Sequence, residues 1–289
     1  MLHTDATGHQ KSKLIPNYGI DLFDILHDHR IYDIYGTKIA VFRRKTQKSP
    51  IRITKIQTKT INLRGFYMKI IAKIHNDFKE KFGIPRQSGL SGELTSRIVF
   101  EPEYRNPEAL RGIDGYSHLW IIWQFSEAIR ENWSPTVRPP RLGGNKRVGV
   151  FATRSPYRPN PIGLSSVKLI GIEKDDVDGT VLIVSGADML DGTPIYDIKP
   201  YVKYADSHPH AVCGYVDALP ERKLKVVIPS EHTNVIQDKT IIPALVEVLS
   251  LDPRPSYHDD PQRIYGLSFA GYNVRFIVDD LILTVVDIK

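Results

Sequence analysis

Four short segments combine fixed charge with glycine or proline, and each has the composition of a ligand-holding loop. Lys81–Gln87 uses Pro85 to stiffen a loop that presents Arg86 and Gln87. In Arg138–Asn145, Pro139 and Pro140 stiffen the approach, while Gly143 and Gly144 allow left-handed backbone or a close approach to a ligand. Arg154–Leu164 holds Pro156, Pro159 and Pro161, so it has little entropy left to lose on binding. In Asp188–Pro194, Asp188 and Asp191 flank the apolar pair Met189 and Leu190 ahead of a turn. Arginines at such places answer anionic groups through charge-assisted bonds, and carboxylates accept from hydroxyls. Gly, Pro, Asn and Asp are turn residues in any protein, so one such loop would read as a surface turn. Four together, all charged, point to a binding site.

Other chemistries lack their signatures. No GxGxxG follows a strand and opens a helix, and no Walker motif, GxSxG elbow or His/Cys metal spacing is present. His118, His208 and His210 are too scattered to suggest a metal, so none is expected. Cys213 is the single cysteine, which excludes intrachain disulfides and cysteine-rich zinc sites and fits a reducing cytoplasm. No run of eighteen apolar residues suggests a membrane span, and no apolar stretch with a small-residue cleavage site suggests secretion.

The net charge of +6 has to be located before it is interpreted. Residues 1–67 carry 12 Lys+Arg against 5 Asp, which leaves 27 basic and 28 acidic side chains on the rest. Basicity of the whole chain therefore comes from its N-terminal part. Within the body the charge is segregated. Asn132 to Ile172 contains seven Lys or Arg and no acid, and the stretch Glu173–Asp197 that follows is acid-rich. One positive surface facing a distinct acidic one is the expected result, with a solvated loop as the alternative.

The elements that must position these loops are mostly strands. Met68–His75 alternates Lys and Ile as a half-buried strand does, and Gly92–Phe100 is another. The apolar run Ser117–Phe125 predicts a strand buried on both faces. Val148–Thr153, Ser166–Glu173 and Thr180–Gly186 follow, and Pro107–Leu110 is at most a turn or two. Evenly spaced short strands indicate a sandwich or barrel. After the polar linker Ser207–Ala218, a strand at Leu224–Ile228, a helix capped by Ser230, a helix over Pro243–Leu249, a hairpin of Ile264–Phe269 with Val274–Val278, and a closing strand at Ile282–Val286 make a small α+β unit. The expected organisation is mainly β: an extension over 1–67 with a short helix around Ile20–His27 and β-branched residues through Ile51–Ile61, a β-barrel domain over 68–206, and a small C-terminal domain over 207–289. Met68 is taken as a natural start or close to one.

Together the four segments resemble the TrmO family (also YaeB, VirR-like or TsaA-like), from about Lys69 to the C-terminus. The resemblance is carried by Glu80–Gln87, Leu110–Trp120, Thr136–Gly149, Phe151–Leu164 and Asp188–Tyr201, with Asp252-Pro253-Arg254-Pro255, Tyr257 and Asn273-Val274-Arg275 near the end. Asn76-Asp77 and Ala270-Gly271-Tyr272 depart from the family pattern. The resemblance implies a β-barrel that binds S-adenosyl-L-methionine in a non-Rossmann manner, usually as a homodimer, with a smaller domain that positions tRNA. It implies N6-methylation of N6-threonylcarbamoyladenosine at position 37 of tRNA-Thr, in the anticodon stem-loop. Carried onto this chain, the cofactor site draws on Pro85, Arg86, Gln87, Ser126, Glu127, Arg154, Leu164, Asp188, Met189, Leu190 and Asp191. Arg141, Lys146, Arg147 and Arg158 are expected to meet tRNA phosphates, joined by Arg254, Tyr257 and Arg275. No residue is an obvious base. Asp252, Tyr265 and Asn273 are assigned to orient the nucleotide and assist loss of the N6 proton. Two other readings stand beside this one: a non-enzymatic RNA-binding or regulatory barrel, and a methyltransferase acting on a small molecule, which the separate tail domain and basic surface disfavour.

Overall fold

The computed structural model describes residues 68–219, 223–255 and 260–289, and the backbone of three strands within 31–56. The Ile20–His27 helix and Tyr257 lie outside the described residues. Two compact units divide at Met68. In the first, β1 (Ile31–Ile34), β2 (Thr37–Phe42) and β3 (Arg52–Ile56) form an antiparallel sheet in that order.

In the second unit, β4 (Ala72–His75), β5 (Thr95–Phe100) and β6 (His118–Gln124) are followed by a two-stranded ribbon of β7 (Thr136–Val137) and β8 (Val148–Gly149). Then come β9 (Ile162–Asp175), β10 (Gly179–Ser185) and β11 (Pro194–Pro200). Strands β4, β5, β6, β9, β10 and β11 pair antiparallel in the cyclic order β10-β5-β4-β11-β6-β9, so the sheet closes on itself as a barrel. Alternation does the sorting: Ile74, Ile98, Leu119, Ile121, Leu182 and Ile195 point inward and are fully buried. The 14-residue β9 spans two pairings, with β6 through residues 162–168 and with β10 through 168–175; the β10 register shifts at Ile183/Val184. A bulge of this kind bends the ladder and lets one strand turn a barrel corner.

Two expectations about this region need correction. β6 is buried on one face only: Leu119, Ile121 and Trp123 are buried, and Trp120 and Ile122 are half-buried. The outer face is covered by the chain after β11, where Trp120 Nε1 donates to Asp206 Oδ2 at 2.9 Å and its ring lies 5.7 Å from that of Tyr201. The third loop also ends at Pro161 and not at Leu164, because Ile162, Gly163 and Leu164 already belong to β9.

The rest of the second unit has a short helix α1 (Lys203–Asp206), β12 (Lys225–Val227), α2 (Ser230–Val235), α3 (Ile242–Ser250), β13 (Tyr265–Phe269), β14 (Tyr272–Asp279) and β15 (Ile282–Ile288). The sheet order is β12-β15-β14-β13, with β12 parallel to β15 and the other pairs antiparallel. α3 buries Ala244, Leu245, Val248 and Leu249 against it. Ser230 does not cap α2: it is the first helical residue, and Pro229 holds the capping position without a side-chain bond. Phe78, Phe82, Ile84 and Leu94, from the chain between β4 and β5, pack into this second core and not into the barrel. Among the described residues, no helix is long and apolar enough to cross a membrane, and no group of three or more His, Cys, Asp or Glu could hold a metal ion.

Candidate functional site

The main cleft, of about 810 Å³, opens where β6 ends and β9 begins, and Asp188, Leu190 and Thr193 from the chain after β10 join its lining. Its floor follows from one register pair. Trp123 on β6 faces Gly163 on β9, and a Cβ at Gly163 would lie 2.1 Å from Trp123 Cε2, so only glycine lets the indole lie flat on the strand. The indole Nε1 donates to Ser165 Oγ at 2.9 Å, and Ser165 Oγ donates to Asp188 Oδ1 at 2.5 Å. Tryptophan can only donate, so the serine hydroxyl accepts from it and must direct its own proton at the carboxylate. Burial pushes the Asp188 carboxyl above its ordinary range, against the opposing effects of Ser165, the Ser88 backbone and Arg154. Phe125 extends the aromatic wall, its ring centroid 4.2 Å from that of Trp123 at a 58° tilt.

Charge enters from two loops. Arg154 Nη1 donates to Gln87 Oε1, and Gln87 Nε2 donates to the Arg86 carbonyl. Arg86 Nη2 donates to the carbonyls of Asp252 (3.1 Å) and Arg254 (3.0 Å). Burial lowers the Arg86 pKa, Asp252 opposes that, and Arg141 lowers it further, which places Arg141 in the neighbourhood of Arg86. Arg158 lines the cleft and donates to the Thr153 carbonyl at 3.2 Å. Arg130 lies 3.9 Å above the Tyr157 ring at the rim.

Of the sequence-derived cofactor residues, Pro85, Arg86, Gln87, Ser126, Glu127, Arg154, Leu164, Asp188 and Leu190 all line this one cleft. Glu127 sits at the mouth, exposed and 3.0 Å from Lys81 Nζ. Two placements are corrected. Met189 is fully buried in the barrel core, because successive residues of an extended segment point to opposite sides. Asp191 turns away to the β4 end, where it accepts from Lys79 Nζ (2.7 Å) and the Asn76 N–H (3.1 Å) and lies 3.3 Å from His75 Nδ1. Burial alone would raise its carboxyl; Lys79 and Asn76 hold it below the ordinary range.

The tRNA-side assignments separate as well. Lys146 and Arg141 are exposed, and Arg147 is exposed with Nη1 on Thr136 Oγ1 at 2.8 Å. Arg275 is exposed on β14, 3.8 Å from Asp287. Arg254 is 4 % exposed and forms a two-pronged pair with Asp252, Nε to Oδ1 at 2.8 Å and Nη2 to Oδ2 at 3.0 Å. That guanidinium shapes its loop and is not offered to a phosphate, which corrects the expectation for it. Asp252, Tyr265 and Asn273 do not line the cleft. The Asp252 carboxylate is engaged by Arg254, Tyr265 is buried against Phe276 with ring centroids 5.6 Å apart, and Asn273 is exposed on β14. Reading by residue type missed Trp120, Trp123 and Phe125, all of which line the cleft. The signal available was Gly163, a glycine inside a strand, where close backbone approach is a common reason.

The profile of the tRNA-methyltransferase O N-terminal domain matches residues 73–207, and that of the TrmO C-terminal domain matches 221–289. A tRNA (adenine(37)-N6)-methyltransferase of Escherichia coli K12 is 39% identical over 227 residues, 75% of this chain and 95% of its own length. A putative S-adenosylmethionine-dependent methyltransferase, RcsF, of Pseudomonas aeruginosa is 40% identical over 215 residues, 71% of this chain and 90% of its own length. The crystal structure of TrmO from Pseudomonas aeruginosa superposes with a TM-score of 0.63 at 32% identity, covering 79% of this chain and all of that one.

Proposed function

The chain belongs to the TrmO family and is a tRNA methyltransferase, and from that premise we propose that it N6-methylates N6-threonylcarbamoyladenosine at position 37 of tRNA-Thr, with S-adenosyl-L-methionine as donor. The observation that carries the reading is the convergence of Arg86–Gln87, Arg154, Leu164 and Asp188 on one aromatic-walled cleft. Its volume suits a nucleoside-sized ligand, and its lining suits the donor's chemistry. Arg154, already beside Gln87, answers a carboxylate. Asp188 accepts from ribose hydroxyls. Trp123, Phe125, Leu164 and Leu190 supply apolar surface for an adenine. When bound, the donor supplies an electrophilic methyl group on a sulfonium.

The chain's own contribution is positioning. The acceptor N6 is conjugated to the threonylcarbamoyl carbonyl, which makes it a poor nucleophile, so orientation and exclusion of water have to supply much of the rate. Arg141, Lys146, Arg147 and Arg158 contact the phosphates of the anticodon stem-loop. Arg275 and Asn273, exposed on β14, extend that contact on the small sheet. We assign the chain to the cytoplasm and to a homodimer; the Trp133–Phe151 ring pair, exposed at 53% and 73% with centroids 6.0 Å apart, favours a covering surface. The test is nucleoside mass spectrometry of tRNA incubated with the purified chain and labelled donor. A methylated threonylcarbamoyladenosine in tRNA-Thr is expected. Label confined to other nucleosides, or none, would defeat the reading, and RNA binding without methyl transfer would favour the regulatory alternative.

A further inference from the structure

Ser165 is fully buried on β9, two residues before Val167 and opposite Ile121 of β6, both of them core residues. A hydroxyl among apolar side chains is destabilising unless its bonds are made, and here both are made. It accepts from Trp123 Nε1 at 2.9 Å and donates to Asp188 Oδ1 at 2.5 Å. The direction of this chain is fixed. An indole N–H cannot accept, so it occupies a serine lone pair and the single serine proton has the carboxylate as its partner. The indole cannot drift, because it lies against Gly163 on the facing strand. A length of 2.5 Å is that of a hydroxyl donating to a charged carboxylate.

Asp188 needs such support, because it is half-buried in the cleft wall, where burial works against the charged form. The opposing groups come from every side. Ser165 on β9 has the largest effect, followed by the Asp188 backbone, the charge of Arg154 and the Ser88 backbone. Ser88 is fixed there by the Ser166 N–H, which donates to its Oγ at 3.2 Å, and by the Gly89 N–H, which donates to the Gly186 carbonyl at 2.8 Å. From β6 the neighbour is the uncharged Trp123. Lys81, Arg86, Glu127 and Arg158 also line the cleft. Arg154 is exposed and shared with Gln87, whereas Ser165 is out of reach of solvent and has no other acceptor to serve. The two protonation states of Asp188 differ in what they offer a ligand. The carboxylate only accepts, and can take two hydroxyls at once; the acid turns one oxygen into a donor.

We propose that Ser165, oriented by Trp123, is a positioning residue that keeps Asp188 charged and aimed to accept from the ribose hydroxyls of the methyl donor. The proposal rests on the reading of the cleft as the donor site and deepens it.

The experiment titrates S-adenosylhomocysteine, a non-reacting probe of the cleft, into the full chain between about pH 5 and about pH 8.5. In the ligand-free chain the Asp188 carboxyl carbon is followed by NMR over the same range, its resonance assigned with Asp188→Asn. Affinity that depends on the charged carboxylate is present at alkaline pH and lost as pH falls through the Asp188 pKa. Ser165→Ala removes a donor to the charged form. It is expected to move the NMR midpoint and the affinity midpoint up by about one pH unit or more, the size of a hydrogen bond to a charged group. The variant therefore binds about tenfold or more weakly at the acid end, and the difference closes at the alkaline end. Ser165→Cys keeps the shape with a weaker donor and is expected to move both midpoints in the same direction. Affinity lowered uniformly across the range, or an affinity midpoint left in place, would make Ser165 a packing residue and overturn the proposal. Should Ser165→Ala not fold, an unmoved affinity midpoint in Ser165→Cys overturns it in the same way. An acid-side loss that persists in Asp188→Asn belongs to another group and also overturns it. A wild-type chain that binds no probe at any pH brings down the donor site and the proposal with it; binding with unmoved midpoints brings down the proposal alone.

Discussion

Asp188 stands under two opposed demands. Its oxygen terminates the Trp123–Ser165 donor chain and faces the cleft, yet burial raises its pKa, so the charged form is held at a cost in the free protein. A carboxyl whose folded pKa is raised binds its proton more tightly folded than unfolded. Its contribution therefore opposes folding progressively as pH climbs from the ordinary carboxylate value, about 4, through the raised one. Asp188→Asn removes that titration while leaving an acceptor for Ser165. The urea midpoint at pH 7 should rise, and the decline attributable to this group above about pH 4 should disappear. Donor binding should weaken by about 10- to 100-fold, as for the loss of a hydrogen bond to a charged group. Parallel denaturation curves at pH 4 and 7 with donor titrations decide it; a less stable variant with unaltered binding would remove Asp188 from the site.

At the scale of elements, the β6–β9 pairing decides whether the cleft exists. Gly163→Ala places a methyl inside the Trp123 ring position, so the indole must leave the strand and release Ser165. Overpacking of this kind costs about 1–3 kcal/mol, read as a lower urea midpoint, and donor binding should fall with it. Unchanged stability and binding would mean that the indole does not depend on that glycine. This pairing also marks what was legible in the sequence. Alternation made β4, β5, β10 and the β13–β14 hairpin readable within a few residues, and proline and glycine drew attention to the four charged loops, of which three meet at the cleft while Arg138–Asn145 does not line it. The strand β11 was not, since Pro194–Pro200 carries Asp197 and Lys199 and begins and ends in proline; it is a strand because Ile195 is pulled into the barrel. Nor could local pattern reveal that Phe78, Phe82 and Ile84 belong to a core built about 140 to 210 residues later in the chain. In Asp188–Asp191, the family resemblance marked four candidates, whereas the direction of each side chain, a backbone property, keeps two in the cleft.

For the whole molecule the question is which charge meets the RNA. The formal +6 invites attention to residues 1–67, whose removal leaves a body of 27 basic and 28 acidic side chains. Net charge acts at long range and is screened within about 10 Å at ordinary salt, whereas phosphate contacts release counterions one by one. Arg141, Lys146 and Arg147 are exposed and Arg158 half-buried on an acid-free stretch, four phosphate contacts that suffice for a log–log salt slope of about −3 and a loss of roughly 50-fold in tRNA affinity between 50 and 200 mM salt. A chain begun at Met68 should keep that slope although its net charge has changed sign. Lys146→Ala with Arg147→Ala in the full chain should reduce the slope by about 1 to 2. Filter-binding titrations across four salt concentrations separate the cases: a slope that collapses on truncation and survives the double substitution would move the RNA contact to residues 1–67 and leave the basic run as solvated surface.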